Sequence, residues 1–359
     1  MTSEGGLDLA APVEQLAARL VGIPSESRRE AALADAVESA LRSVPHLEVV
    51  RRNNNVIART HLGHAERVLI GGHLDTVPEH GNGTPEFRDG LLYGLGACDM
   101  KGGVAVSLHL AHSLAAPTRD VTYVYYECEE IAQEFNGLKW LAENEPGLIA
   151  ADLAILMEPS NAGVEAGCQG TIRAHVAATG TRSHSARSWM GDNAIHNASA
   201  ILDRLTAYEP RRPIVDGLEY REGLNAVGIR GGVAGNVIPD ECVVTVNYRF
   251  APDLSLDEAI AHVREVFAGF EVVIDDAAPA AQPGLTRPAA ADFIAAVAAE
   301  PRPKFGWTDV ALFSGLGVPA LNYGPGDPAL AHARDEHVPV EQIRSCAQRL
   351  SAWLTSSGK

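Results

Sequence analysis

The sequence predicts an α/β fold, in which a mostly parallel mixed sheet lies between layers of helices and a second, α+β domain is inserted into the first. Three observations predict it. The chain has 359 residues, more than a single hydrophobic core usually serves. Its first part alternates short apolar strands with amphipathic helices. The middle part changes to an antiparallel strand pattern, after which the α/β alternation resumes.

In the first part, apolar residues recur at helical spacing or form short strand-like runs. The helical segments lie at residues 11–21, 29–44, 103–114 and 134–143. The strand-like segments lie at residues 67–71, 121–126 and 153–157. This order favours parallel strands joined by crossover helices.

The middle part reads as an inserted domain. Alternating residues predict strands at 172–179, 242–250 and 271–275, and helical spacing predicts helices at 193–205 and 256–267. The closing part returns to a helix at 289–299, a strand at 319–323 and a helix at 340–351. Gly/Pro/Ala-rich joints place the domain boundaries at 1–171, 172–284 and 285–359, with the outer two segments forming one catalytic domain.

The composition excludes several kinds of partner. Lys and Arg number 29 and Asp and Glu number 46, so the formal net charge is −17. Nucleic acids and anionic membranes are therefore poor candidates, since both attract basic proteins. The longest apolar runs are far too short to span a bilayer. An anionic substrate would need local positive charge from arginine or metal.

The start of the chain and the cysteines indicate a cytoplasmic protein. Residues 1–12 are acidic and Gly/Ala-rich, without the basic and apolar regions of a signal peptide. The five cysteines are odd in number and show no CxxC spacing, which argues against a disulfide framework or a thiolate zinc site.

Ligand-type side chains follow the predicted strands of the first domain or precede its helix. They are His73 and Asp75, Asp99, Glu129 and Glu130, and Glu158. The carboxyl ends of parallel strands share one edge of a sheet, so these side chains should meet in one crevice. Such a cluster would repel itself without cations, and two divalent metals bridged by a carboxylate would relieve the repulsion. Imidazole and carboxylate ligands suit zinc, and less specifically cobalt or manganese.

Local geometry suggests further roles. Asp75 lies two residues after His73, so in a strand it shares a face with the imidazole and can fix its tautomer. One member of the Glu129–Glu130 pair can ligate metal while the other acts as general base. The alternatives are ordinary: solvated turns at the strand ends, or a helix N-cap at Asp99.

Several motifs together resemble the di-zinc aminoacylase/carboxypeptidase family of metallohydrolases. The resemblance implies a zinc-dependent exopeptidase-like sheet with a ferredoxin-like lid and dimerisation domain. It covers nearly the whole chain, in order. The motifs are HLDTVP at 73–78, GLGACDMKGG at 94–103, EE at 129–130, MEPS at 157–160, GWTD at 306–309, YGPG at 323–326 and HARDEHV at 332–338.

The same resemblance implies two Zn²⁺ ions per subunit, for which Co²⁺ can substitute. His73 and Glu158 would hold one ion, Glu130 and His332 the other, and Asp99 would bridge them. His337 is the competing local candidate for the position of His332. Glu129 would then be the general base and Asp75 the partner of His73, and a cis peptide is expected after Asp99.

For the inserted domain, the resemblance implies contacts with substrate and with a second subunit. His184 would reach a neighbouring active site in a homodimer formed through the lid. Asn236 and Arg249 would grip the substrate, with Thr308 and Gly324 completing the pocket. A plain loop histidine at His184 and a surface ion pair at Arg249 are the alternatives.

The expected activity is metal-dependent hydrolysis of an amide in a small anionic N-acyl amino acid. N-Succinyl-LL-2,6-diaminopimelate is the substrate that the resemblance favours. N-Acetylated amino acids such as acetylornithine, or another N-acyl amino acid or peptide, are the alternative substrates. A non-catalytic metal-binding relative is the alternative of a different class.

Overall fold

The computed structural model describes residues 6–356. Part of the N-terminal segment considered above, residues 1–5, lies outside this range. The described residues form eleven α-helices and two 3₁₀-helices, at Ser185–Met190 and Pro328–Leu330. The α-helices are α1 Val13–Val21, α2 Ala31–Arg42, α3 Lys101–Ser113, α4 Gly137–Asn144, α5 Pro146–Ile149, α6 Ala194–Asn197, α7 Ser199–Thr206, α8 Leu256–Val266, α9 Pro288–Val297, α10 Val310–Gly315 and α11 Val340–Thr355.

The strands within residues 6–356 form one large sheet and four smaller ones. They are β1 Glu48–Arg52, β2 Asn55–Arg59, β3 Arg67–His73, β4 Glu86–Arg88, β5 Leu91–Tyr93, β6 Asp120–Tyr126, β7 Leu153–Leu156, β8 Glu165–Ala166, β9 Gly170–Thr179, β10 Ser183–His184, β11 Ile214–Val215, β12 Leu218–Glu219, β13 Gly223–Gly231, β14 Val237–Ile238, β15 Glu241–Phe250, β16 Glu271–Ala278, β17 Arg302–Pro303, β18 Ala320–Asn322 and β19 His337–Pro339.

The chain divides into two compact units. Unit 1 comprises the described residues up to Ala166, residues Gly284–Arg302 and the described residues from Leu312 onward. Unit 2 comprises Gly167–Pro283 and Pro303–Ala311. Unit 2 thus begins five residues before the boundary expected at 171/172 and also takes a short segment from the closing part.

Unit 1 is built on an eight-stranded sheet of order β1-β2-β6-β3-β7-β18-β8-β17. Its four central strands, β6, β3, β7 and β18, are mutually parallel. Strands β2 and β8 pair antiparallel with the two sides of this block. The predicted α/β class is confirmed, with the parallel pairing concentrated in the middle of the sheet.

The central strands are buried on both faces. All seven residues of β6 are buried, and so are six of the seven in β3. Helix α3 is buried along most of its length, where it packs against β3 and between α1 and α11. A sheet buried on both sides explains why these strands read as continuous apolar runs.

Unit 2 contains a four-stranded antiparallel sheet of order β13-β15-β9-β16. Alternate residues of β15 are buried, which is the pattern of a sheet covered on one face. Helices α6, α7 and α8 cover that face, and Val244, Ile201 and Val263 belong to their shared core. Ser255 and Glu258 form a capping box that starts α8.

The structure departs from the sequence prediction in several places, and strands β1 and β2 at one side of the large sheet are among the elements that were not predicted. The helix predicted at 193–205 is two helices, α6 and α7, which meet at Ala198. Strand β13 was not predicted, because its glycines and its exposure leave no alternating pattern. The Glu129–Glu130 pair lies beyond the end of β6 in a bend rather than in an extended strand.

Within residues 6–356, no helix is both long and apolar enough to cross a membrane.

Candidate metal centre

The carboxyl edge of the central sheet carries the polar side chains singled out above. His73 is the last residue of β3. Glu129 and Glu130 follow the end of β6, and Glu158 lies two residues beyond β7. Because β6, β3 and β7 are neighbours and run parallel, their ends deliver these residues to the same edge.

Three of these side chains form a compact group of possible ligand atoms. One ligand atom each from His73, Asp99 and Glu130 lies within 4.8 Å of the others. His73 Nε2 is 3.1 Å from Asp99 Oδ1. Asp99 does not cap α3, whose N-cap is Met100. The peptide between Asp99 and Met100 is cis, as the resemblance implied.

His332 joins this group from a loop outside the central strands. Its Nε2 is 2.9 Å from Glu130 Oε1 and 3.7 Å from Asp99 Oδ2. The competing candidate His337 lies elsewhere, at the start of β19, where its ring stacks on Tyr93. The geometry therefore favours His332 over His337 as a member of the centre.

The donor set fits a pair of divalent cations. Asp99 presents Oδ1 to His73 and Oδ2 to His332, which is the disposition that a bridging carboxylate requires. The donors are imidazole nitrogens and carboxylate oxygens without thiolate, a combination suited to zinc.

The protonation of the two histidines in the protein without metal also indicates that this site suits bound cations. Burial opposes a charge on His73, but hydrogen bonds to Asp75 and Asp99 outweigh it and raise the pKa of His73 well above its usual value. The hydrogen bond to Glu130 raises the pKa of His332 to about 9. Protons on these imidazoles thus balance the carboxylates, and bound cations would take over that role and release the protons.

Asp75 is fully buried, and its contacts differ in detail from the expectation. His73 Nδ1 lies 3.0 Å from the backbone oxygen of Asp75 and 3.4 Å from its carboxylate. The carboxylate mainly accepts hydrogen bonds from the backbone N–H groups of Glu129 at 2.9 Å and Glu130 at 3.1 Å. Asp75 therefore links the histidine to the turn that carries the glutamate pair.

Close backbone packing fixes the end of β7 that carries Glu158. A side-chain carbon added at Gly103 in α3 or at Gly324 after β18 would collide with the carbonyl oxygen of Met157. Gly324 also accepts hydrogen bonds from the N–H groups of Ser160 and Ala162. These two glycines let a helix and a loop close on the segment that places the buried Glu158.

The comparisons with known proteins agree with this geometry. The model of the peptidase family M20/M25/M40 matches residues 69–356. The chain belongs to that family. The match begins within β3 and runs to the end of the described residues, so it includes every position of the candidate metal centre.

Two relatives of this M20 member are similar over nearly their full length. The putative succinyl-diaminopimelate desuccinylase of Mycobacterium tuberculosis is 54% identical over 97% of this chain and 99% of its own. The succinyl-diaminopimelate desuccinylase of Corynebacterium glutamicum is 49% identical over 98% of each chain. Among solved structures, a tripeptidase from Staphylococcus aureus superposes with a TM-score of 0.79 at 19% identity, covering 98% of this chain and 99% of its own.

Membership of the M20 family confirms that the chain is a hydrolase of amide bonds. Together with the cluster of His73, Asp99 and Glu130, it also indicates dependence on metal. The identity and number of the ions, and the roles of individual residues, are taken up below as proposals.

Unit 2 of this M20 member brings two of the predicted residues together. Strand β10 pairs with β14, so that His184 lies opposite Val237, next to Asn236. The N–H of Ser185 donates a hydrogen bond to the backbone oxygen of Asn236 at 2.9 Å. Both His184 and Asn236 are exposed to solvent.

Arg249 and Thr308 also lie in unit 2. Arg249 is near the end of β15, is half-buried, and forms no ion pair with a carboxylate of residues 6–356. Burial lowers its pKa. The alternative of a surface ion pair is therefore not realised. Thr308 is buried, and its backbone oxygen lies 3.7 Å from the sulfur of Cys168.

Sequence reasoning missed the residues that support the centre from other segments. The Ser27 hydroxyl donates to Asp75 Oδ2 at 2.7 Å. Glu336 Oε1 accepts from the N–H groups of Cys98 at 2.9 Å and Asp99 at 3.1 Å. Burial raises the pKa of Glu336 to about 7. No strand end carries these side chains, so the pattern that located the ligands held no signal for them.

Proposed function

We propose that this chain hydrolyses N-succinyl-LL-2,6-diaminopimelate to succinate and LL-2,6-diaminopimelate, a step of diaminopimelate and lysine biosynthesis. The observation that carries the proposal is the similarity, over nearly the full length, to the desuccinylases of two actinobacteria. All seven residues proposed for the metal centre are present, which argues against a non-catalytic relative.

The proposed centre holds two Zn²⁺ ions, and Co²⁺ can substitute. His73 and Glu158 would hold one ion, Glu130 and His332 would hold the other, and Asp99 would bridge them. The opposed oxygens of Asp99 and the short His332–Glu130 contact support this assignment. When bound, the ions supply Lewis acidity that polarises the scissile carbonyl and lowers the pKa of a coordinated water toward about 7.

The remaining chemistry belongs to the side chains of this protein. Glu129 takes the proton of the attacking water as general base and returns it to the leaving amine. Asp75 keeps Glu129 and Glu130 in place through their backbone N–H groups. His184 is proposed to steady the negative charge on the carbonyl oxygen.

Recognition of the succinyl group requires a local cation, because the protein carries a formal charge of −17. Arg249 is the proposed partner, since a guanidinium pairs bidentately with a carboxylate. Its lack of an ion pair within the described chain supports this role. Asn236, Thr308 and the backbone at Gly324 are proposed to complete the pocket.

Unit 2 is proposed to act as a lid through which two chains form a homodimer, with His184 serving the neighbouring active site. The edge strand β13 supports this proposal, because Val227 and Ile229 on it are 61% and 59% exposed. Trp189 and Met190, just after His184, are 80% and 63% exposed. A reducing cytoplasm is the proposed compartment, since all five cysteines are free and buried.

The test compares acyl groups on matched amines. Zinc-loaded protein is assayed with N-succinyl-diaminopimelate, N-acetylornithine and N-succinylornithine. The proposal expects a large preference in kcat/KM for the succinyl compounds, because an acetyl group leaves Arg249 without an anion. Equal or faster hydrolysis of N-acetylornithine would instead identify an acetylornithine deacetylase. Rigorously metal-free protein that keeps full activity would contradict the metal-dependent chemistry.

A further inference from the structure

The turn after β6 is held by two buried carboxylates, and the proposed mechanism accounts for only one of them. Asp75 accepts the N–H groups of Glu129 and Glu130, at 2.9 and 3.1 Å. The N–H group of the preceding residue, Cys128, donates to Oε1 of Glu30 at 3.2 Å. Three consecutive backbone N–H groups are thus fixed by carboxylate oxygens that belong to two other segments.

Glu30 is well placed for this task. It is fully buried, directly before the first residue of α2. Its Oε1 also accepts hydrogen bonds from the N–H of Arg28 at 2.8 Å and from the Cys128 sulfur at 3.2 Å. One oxygen therefore ties the loop before α2 to the turn after β6.

Cys128 needs such support because its backbone is in the left-handed region, with φ of 60°. Residues with a side-chain carbon seldom adopt that conformation unless their surroundings favour it. The conformation of Cys128 sets the direction of the chain into Glu129 and Glu130. A change of φ there would move the carboxylates of both.

We propose that Glu30 is a positioning residue, which holds Cys128 in its left-handed conformation so that Glu129 and Glu130 face the metal centre. The proposal rests on the roles proposed above for Glu129 as base and Glu130 as ligand. It assigns Glu30 no contact with substrate or metal.

The alternative interpretation is that Glu30 belongs to a third cation site, because ligand atoms of Glu30, Glu127 and Cys128 lie within 4.8 Å of one another. The thiol argues against it. Its sulfur lies 3.2 Å from Glu30 Oε1 and donates a hydrogen bond to that oxygen, so Glu30 already holds the thiol hydrogen. A metal ligand would have to be the thiolate.

The test uses Glu30→Ala and Glu30→Gln, with Asp120→Ala as matched control. Asp120 is also a buried carboxylate that accepts three consecutive N–H groups, those of Leu62, Gly63 and His64. It lies at the first residue of β6, the opposite end of the same strand. Amide hydrogen exchange of metal-free protein is measured beside kcat, KM and metal content at saturating zinc.

Glu30→Ala should speed exchange at residues 128–130 and lower kcat by about 10–100-fold, with KM little changed. Glu30→Gln keeps an acceptor oxygen and should restore both properties. Asp120→Ala should speed exchange at residues 62–64 and leave kcat close to the wild-type value. If Glu30→Ala does not fold, Glu30→Asp, which withdraws the carboxylate by one methylene, should show the same local pattern.

Three results would overturn the proposal. The first is a folded Glu30→Ala or Glu30→Asp variant whose exchange and kcat match the wild type. The second is a Glu30→Gln variant whose exchange and kcat change as much as those of Glu30→Ala. The third is a wild-type protein that binds a third metal ion per chain, which Glu30→Ala no longer binds. Glu129→Gln is measured in parallel to separate the two proposals. A full rate in Glu129→Gln contradicts the base, whereas a slow Glu129→Gln beside an unaffected Glu30→Ala contradicts only the positioning role.

Discussion

Asp99 faces two imidazoles with its two oxygens, so this single residue connects His73 with His332 at the edge of the sheet. The neighbouring residues are of two kinds. Some are proposed to contact the metal ions or the substrate, and others accept hydrogen bonds from the backbone of those residues. Asp75 and Glu336 belong to the second kind, because each accepts N–H groups of residues in the proposed centre. Single substitutions can separate the two kinds.

Replacing Glu129 with glutamine keeps the shape of the side chain and removes its basicity. We expect kcat to fall by about 10²–10⁴-fold, the usual contribution of a general base. The metal content, measured by elemental analysis, should remain at the wild-type level because Glu129 is not a proposed ligand. Loss of metal from this variant would show that Glu129 is a ligand. Glu143→Gln, on the exposed face of α4, is the control.

Replacing Arg249 with alanine should remove most of the preference for succinyl over acetyl substrates. The half-buried guanidinium would otherwise pair with the distal carboxylate of the succinyl group. The measurement is the ratio of kcat/KM for N-succinylornithine and N-acetylornithine in wild type and variant. An unchanged ratio would exclude Arg249 as the carboxylate-binding residue. Arg264→Ala, on the exposed side of α8, should leave the ratio unaltered.

At the scale of elements, the end of β7 is held by two glycines, and a substitution at either should disturb it. Gly103→Ala introduces a carbon that collides with the carbonyl oxygen of Met157. The collision should cost about 1–3 kcal/mol of unfolding free energy, and metal should bind more weakly because Glu158 is displaced. Chemical denaturation and metal titration measure both effects.

The matched control is Gly147→Ala in α5. An added carbon there meets no neighbouring atom within 4 Å. Alanine in a helix should therefore be neutral or slightly stabilising. Equal stability of the two variants would contradict the packing argument.

The amino end of β6 depends on Asp120, and its contribution should vary with pH. Burial opposes the charge of Asp120, but hydrogen bonds from the backbone of Leu62 and His64 and from Thr60 outweigh it and lower its pKa. A lowered carboxyl pKa gives stability that is complete above the unfolded value, about 3.9, and is lost as the pH falls through the folded value.

Asp120→Asn should accordingly be less stable than wild type by about 1–3 kcal/mol at neutral pH. The difference should shrink as the pH falls below the ordinary range of aspartate, because wild-type Asp120 is then also uncharged. Urea unfolding of metal-free protein across the acid range checks this. A gap that stays constant with pH would mean that the charge of Asp120 contributes nothing.

The sequence predicts those parts of the site that follow from strand order. His73, Glu130 and Glu158 were located because parallel strands end at a common edge. His332 could not be located in this way, since it comes from a loop and depends on a left-handed backbone. Ser27, Glu30 and Glu336 were missed because hydrogen bonds to distant backbone leave no periodic signal. Strand β13 was missed because its glycines obscure its alternation.

At the scale of the whole molecule, the proposed homodimer makes two chains depend on one another. If His184 serves the neighbouring active site, a chain with His184→Ala and a chain with Glu129→Gln can together form one intact site. Mixed dimers isolated with two different affinity tags should recover part of the activity that each homodimer lacks. Without recovery in verified mixed dimers, His184 would act in its own chain or outside catalysis.

The open edge of β13 would also affect how single chains behave before the proposed homodimer forms. A nine-residue strand with unpaired N–H and C=O groups on one side, and with exposed Val227 and Ile229, is a template for any other extended chain. Newly made chains at high concentration would therefore be prone to non-native association and precipitation. The yield of soluble protein should improve when the chain is expressed at low temperature or at a low rate of synthesis. Replacing Val227 with a charged residue should raise solubility but weaken the proposed dimer and lower its activity.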